Sequence, residues 1–137
     1  MKYIIKNEID PNILSNFRKE LGWLELPIEQ YKKAINNSMI NVSVYEEDTC
    51  IGIGRIVGDN HYKGMLTDIM IRPSHQGLGI GKLIVTTLKE TVKDKLEEGE
   101  IFMLEASPTA NNRDFYLKCG LKYKPEIQDG VYLWIKK

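Results

Sequence analysis

The chain has 137 residues, 42% hydrophobic and 28% charged, which fits one domain of the usual roughly 100–200 residues and excludes wholesale disorder or a fibrous repeat. Nineteen Lys and Arg balance nineteen Asp and Glu, so no net field draws the chain onto a nucleic-acid backbone or an anionic membrane. No run of about 18 apolar residues occurs, and the amino terminus meets charge too soon for a signal peptide. Cys50 and Cys119 lack C-x-x-C spacing and read as reduced, buried thiols. The expectation is a cytoplasmic protein with residues 1–137 forming one domain and with no nucleic-acid or membrane partner.

Residues 2 to 6 read as a short strand. Asp10-Pro11 then supplies a capping carboxylate and a proline suited to a first helical turn, and Ile13, Leu14, Phe17 and Leu21 repeat at helical spacing up to Gly22. Pro27 opens a second helix carrying Ile28, Tyr31 and Ile35, with Trp23, Leu24 and Leu26 in the connection. From residue 40 the period becomes two: Ile40, Val42 and Val44 alternate with polar neighbours, and Glu46-Glu47-Asp48-Thr49 turns into a second strand over 50 to 57. A further strand covers about 65 to 71. A long amphipathic helix follows over about 79 to 97, with Ile80, Ile84, Leu88, Val92 and Leu96 as its stripe. Residues 101 to 105 read as a buried strand, 107 to 119 as a short helix stopped by Gly120, and 121 to 125 with 130 to 136 as a closing hairpin. The architecture expected is an α/β layered domain, a mixed and mostly antiparallel twisted sheet flanked by helices, in the order β-α-α-β-β-β-α-β-α-β-β.

The informative segment is a strand, a glycine-rich turn and the long helix: Asp68-Ile69-Met70-Ile71-Arg72-Pro73-Ser74-His75-Gln76-Gly77-Leu78-Gly79-Ile80-Gly81-Lys82. Three glycines let the backbone curl around an oxyanion while the helix start offers unpaired N–H groups and the positive end of its dipole. The P-loop pattern fails because Gln76 stands at its first glycine and Leu83 at its hydroxyl position; the dinucleotide pattern fails because the glycines are spaced by two. What fits is Q/R-x-x-G-x-G/A, and here the sequence resembles the GNAT superfamily of N-acetyltransferases, with the same order of elements over essentially the whole chain. A second match is Phe115-Tyr116-Leu117-Lys118-Cys119-Gly120-Leu121, similar to the family's F-Y-x-K-x-G-F with leucine closing it.

The resemblance implies an acetyl-CoA-dependent transfer to a small primary amine. It implies that the backbone around Gly77, Leu78, Gly79, Ile80, Gly81 and Lys82 holds the diphosphate, with Gln76 opening the loop. The strand at Ile69, Met70 and Ile71 would pair with the pantetheine arm and supply an oxyanion N–H near Met70. Asn112 would help hold the carrier, with Asn111 competing for that role. Tyr116 would protonate the departing thiolate. A homodimer is open, although no interface can be read from periodicity.

An alkylammonium has no lone pair until a base removes its proton. Asp68, a carboxylate inside an apolar strand, is the candidate; it reads equally as a structural acid orienting its neighbours, with Glu105 in reserve. Trp23 would wall the acceptor site, and Glu25 and Glu29 would attract a cationic acceptor. His75 and His61 read as solvent-facing loop residues. No metal-ligand spacing occurs, and Cys119 lacks a nearby His for covalent catalysis, so direct transfer without a metal is expected. Two other readings keep the fold: a non-catalytic acyl-CoA-binding sensor or assembly module, and a protein or peptide N-acetyltransferase.

Overall fold

The computed structural model describes residues 2–107, 112–124 and 130–137. Among them the order is β1 (Tyr3–Lys6), α1 (Pro11–Glu20), α2 (Ile28–Asn36), β2 (Ile40–Glu46), β3 (Thr49–Gly58), β4 (Lys63–Ile71), a single 3-10 turn (Pro73–His75), α3 (Ile80–Lys95), β5 (Ile101–Ala106), α4 (Arg113–Lys118), β6 (Lys122–Tyr123) and β7 (Val131–Lys136). This is the expected succession of elements, with the 3-10 turn added. The long helix ends two residues before the expected position 97, at Lys95, because Leu96 leaves helical geometry as the C-cap yet stays buried. The turn residues Gln128 and Asp129 and the start of the short helix at Pro108 lie outside the described residues.

The described strands form one sheet in the order β1-β2-β3-β4-β5-β7-β6, antiparallel throughout except for the parallel pair β4–β5. Alternation in β2 and β3 sends Val42, Val44 and Ile56 to one face, joined by Ile51 at the register shift beside Val44↔Gly52, and there α3 lays Ile80, Ile84, Leu88 and Val92 against them and reaches Phe102 and Leu104 of β5. The opposite face carries Cys50, Ile53 and Met70 beneath Leu14 and Phe17 of α1 and Tyr31 and Ile35 of α2. Each helix starts where local chemistry dictates. Asp10 caps α1 by accepting the Asn12 N–H at 2.8 Å, with Pro11 at the first helical position.

One irregularity positions everything that follows. The β3–β4 register runs Gly52↔Ile71 and Ile53↔Met70, then resumes at Arg55↔Thr67, so Asp68 and Ile69 together face Gly54. Asp68 takes a left-handed backbone, φ +54°, and the strand bends at this bulge. Gly54 is required there: a Cβ would lie 2.5 Å from Ile84 Cγ2 and 2.7 Å from Ile69 Cδ1.

Candidate active site

Strands β4 and β5 pair only from Lys63↔Met103 to Met65↔Glu105. Beyond the bulge β4 continues to Ile71 with β3 as its neighbour, and among the described residues no strand pairs its other edge past Met65, which makes that edge a seam in the sheet. Arg72 N–H donates to the Ile51 carbonyl at 2.8 Å. By the two-residue alternation of an antiparallel ladder, Met70 therefore turns its amide groups to β3, while Ile69 and Ile71 turn theirs into the seam. The N–H groups available in the seam are thus those of Ile69 and Ile71, not that of Met70. The Ile71 carbonyl already accepts a hydrogen bond from Gln76 Nε2 at 3.2 Å.

The glycine turn closes one end of the seam. Gly77 and Gly79 both have left-handed backbones, φ +80° and +83°, which a side chain would strain. Gly79 is the N-cap of α3 and has no side chain to satisfy the first turn; the first helical bond runs from Leu83 N–H to the Gly79 carbonyl at 3.0 Å. The N–H groups of Ile80, Gly81 and Lys82 therefore lack helical acceptors, and no acid in the first turn opposes an anion. They border a cavity of about 410 Å³ that Ile71, Gln76, Phe115, Lys118 and Cys119 complete. Phe115 packs so closely that a Cβ on Gly81 would meet its ring at 3.0 Å. Leu78 is exposed at the rim, and Ile80 sends its side chain into the core while its backbone stays at the turn.

His75 corrects a sequence expectation. Instead of facing solvent it is largely buried in the wall of this cavity, with Nδ1 2.8 Å from Ser74 Oγ and Nε2 3.3 Å from Glu46 Oε1. The 3-10 turn folds it inward, a step that sequence pattern does not encode. His61 is exposed, as expected.

A second cavity, about 290 Å³, lies on the other side of β4. Ile71 and Gln76 border both cavities, so the two meet over the end of the strand. Its outer wall comes from α1 and the segment after it, with Phe17, Glu20, Leu21 and Trp23 facing Ile69, Met70 and Pro73. Trp23, expected to wall an acceptor site, lines this cavity. Glu25 and Glu29 do not enter; they lie exposed, paired with Lys19 at 3.8 Å and Lys32 at 3.0 Å. The carboxylate that lines the cavity is Glu20, 3.5 Å from Arg72 Nη1. Phe17, Glu20 and Leu21 escaped sequence reasoning because residues at the end of an amphipathic stripe look like ordinary core or surface. Asn112, just before α4, borders this second cavity and not the glycine turn; its rival Asn111 lies outside the described residues.

The remaining candidates are buried side chains. Tyr116 packs edge-on to Phe115 at 5.1 Å between centroids, and none of the described residues hydrogen-bonds its hydroxyl. Burial pushes its pKa up to about 12, so it keeps its proton at neutral pH. It lies in the cluster beneath α3 and lines neither cavity. Both oxygens of Asp68 are occupied, Oδ2 by Arg55 Nε at 2.9 Å and Oδ1 by Arg18 Nη1 at 3.4 Å. Glu105 accepts a hydrogen bond from Lys124 Nζ at 2.6 Å and sits 3.3 Å from Lys63 Nζ in an ion pair outside hydrogen-bond geometry. Those lysines hold its carboxyl below the usual range against the opposing effect of burial. Cys50 and Cys119 are free and buried, their thiols raised chiefly by desolvation. Among the described residues no group of His, Cys, Asp and Glu could hold a metal ion, and no helix is long and apolar enough to cross a membrane.

Residues 8–121 match the sequence model of the Acetyltransferase (GNAT) family. An uncharacterized N-acetyltransferase ycf52-like protein of Prochlorococcus marinus is 34% identical over 86 residues, 60% of this chain and 48% of that protein. The chain spans about half to two thirds of the length of the curated relatives it matches. A probable acetyltransferase from Staphylococcus aureus has the same fold at 23% identity, with a TM-score of 0.79 over 92% of this chain and 95% of that one. N-acetylglutamate synthase from Neisseria gonorrhoeae, solved with coenzyme A and N-acetyl-glutamate, shares the fold at 12% identity, with a TM-score of 0.73 over 100% of this chain and 36% of that one. The family match across most of the length, on a fold of the same design, makes this chain a member of the GNAT acetyltransferase family.

Proposed function

We propose that the protein transfers the acetyl group of acetyl-CoA to the nitrogen of a small primary amine. The observation that carries this reading is the edge of β4 that no described strand pairs beyond Met65, which leads from a cradle of helix-start amides without helical acceptors to a separate cavity of mixed lining. The residues present fit the carrier. Amides of Ile80, Gly81 and Lys82, with the Lys82 and Lys118 side chains beside them, suit a diphosphate. Ile69 and Ile71 offer main-chain groups to an extended amide arm. A neighbouring fold solved with coenzyme A adds support.

Acetyl-CoA supplies an acyl thioester; the chain supplies position and protons. The amine enters between Trp23, Leu21 and Phe17 and loses its proton to become a nucleophile. Glu20 is the carboxylate that meets it: it lines the cavity, half exposed beside Arg72, whereas Asp68 and Glu105 line neither cavity and are each engaged by two cations. Seam N–H groups stabilise the oxyanion that forms on attack. Tyr116, protonated at working pH, is the family's candidate acid for the leaving sulfur; it stands behind the first cavity, packed against the lining residue Phe115. Calorimetry with acetyl-CoA and a screen of amine classes, read by release of free CoA, test the reading. Saturable heat and turnover with small primary amines are expected. Heat from a nucleoside triphosphate or a dinucleotide, with none from acetyl-CoA, would falsify it. Binding without turnover of any amine would favour the sensor module.

A further inference from the structure

We propose that Asp68 is a positioning residue, not the base: with Arg18 and Arg55 it forms an ion triad that fixes the bulge of β4 and ties it to the acceptor wall. The inference rests on the acetyl-transfer reading for its consequence, although the triad itself is a matter of geometry. A left-handed backbone at a residue with a Cβ costs conformational energy and persists only where surrounding contacts hold it. Here they are visible. Arg55, one ladder position past Gly54 on β3, donates through Nε to Asp68 Oδ2 at 2.9 Å and through Nη1 to Ser38 Oγ at 3.0 Å. Ser38 in turn donates to the Ala34 carbonyl at 2.9 Å, anchoring the triad to the end of α2. From the other side Arg18 of α1 reaches Asp68 Oδ1 at 3.4 Å and Tyr31 Oη at 3.3 Å.

This arrangement suits holding, not proton transfer. The Asp68 side chain is 6% exposed and lines neither cavity, and both of its oxygens are engaged by guanidinium groups, so no oxygen is presented to an amine. What it holds matters for the site. The bulge comes just after the last β4–β5 pair, Met65↔Glu105, and just before Ile69 and Ile71, whose amides face the seam. Bulges re-aim a strand in this way. The Arg18 guanidinium also lies 5.0 Å from the centre of the Trp23 ring, so one side chain links the acceptor wall to the strand that presents the thioester. Losing the triad should loosen both partners' placement at once.

Asp68→Asn keeps the shape and removes the charge. The expected result is a kcat lowered about 10- to 100-fold, a raised KM for acetyl-CoA, and an acid limb of the kcat/KM pH profile that stays where wild type has it. Arg18→Gln, at the more exposed end of the triad, should move kcat and both KM values the same way to a smaller extent. Loss of the acid limb in Asp68→Asn with unchanged acetyl-CoA affinity would identify Asp68 as the base and overturn the proposal; so would wild-type values for both constants. A readout independent of turnover is amide hydrogen exchange in the unliganded proteins. Protection of the Met70 amide should fall about tenfold in either variant while that of Val42 and Val44 holds. Unchanged Met70 protection in both variants sinks the triad's role even if acetyl transfer is demonstrated, and reduced protection sustains it even if the acceptor chemistry proves different.

Discussion

Tyr116 shows how burial sets the chemistry of one side chain. Desolvation raises its pKa from 10.0 to about 12, which keeps the phenol neutral and able to donate at working pH. Replacing it with phenylalanine should lower kcat about 10²- to 10⁴-fold with little change in KM for acetyl-CoA, checked by steady-state rates of CoA release. The same shift has a consequence for stability. The folded protein binds this proton more tightly than the unfolded chain, so the contribution is complete below pH 10 and is lost as pH rises from 10 towards 12. Between about pH 9 and about pH 11 the wild type should lose roughly 1 kcal/mol more than Tyr116→Phe, measured by urea denaturation. Tyr116 was legible because it sits in a motif of aromatic, lysine and glycine at fixed spacing. Glu20 was not, since a lone acid at a helix end carries no pattern. Glu25 and Glu29 misled for the same reason: proximity along the chain to Trp23 says nothing about which way an exposed side chain turns.

At the scale of elements the glycines divide into two kinds with different consequences. Gly79 has a left-handed backbone and nothing within 4 Å of an added Cβ, so Gly79→Ala should act mainly by distorting the anion cradle. Gly54 sits against Ile84 and Ile69, so Gly54→Ala should act mainly on packing, at about 1–3 kcal/mol. Calorimetry and urea denaturation on both variants check the split: the first should show a weakened Kd for CoA with modest loss of stability, the second the reverse. Element type and order were readable because apolar period switches cleanly between 3.6 in the helices and 2 in the strands. The bulge was not, because the strand from Met65 to Ile71 has no clean period of two that an extra residue would visibly break, and that residue shows only against β3. The inward turn of His75 and the open seam share that limitation: both depend on partners distant in sequence.

Across the whole molecule, two blocks of sheet, β1 to β4 and β5 with β7 and β6, meet along the short register from Lys63↔Met103 to Met65↔Glu105. The helix α3 spans them, packing on Val42 and Val44 of one block and on Phe102, Leu104 and Ile135 of the other. That division was hidden in the sequence, where 65 to 71 reads only as a further strand and 101 to 105 as a buried one, although the single parallel pairing follows from the α3 crossover between them. Any ligand that bridges the blocks stabilises the fold by mass action. At a hundred times its Kd, acetyl-CoA should add about 2.7 kcal/mol, seen as a raised denaturation midpoint.

The seam lies between two strands of one sheet, and that confinement is itself a filter. An unpaired edge at the rim of a sheet invites any extended chain, including a second protein; an unpaired edge in a slot admits only something slender, with amides at peptide-like intervals. Adenosine diphosphate can fill the pocket at the glycine turn but has nothing to thread through the slot, so it should bind much more weakly than CoA and leave the Ile69 and Ile71 amides exchanging freely with solvent, whereas CoA should slow both. On the proposed reading the carrier would arrive as a borrowed strand, extending the pairing of β4 past Met65↔Glu105.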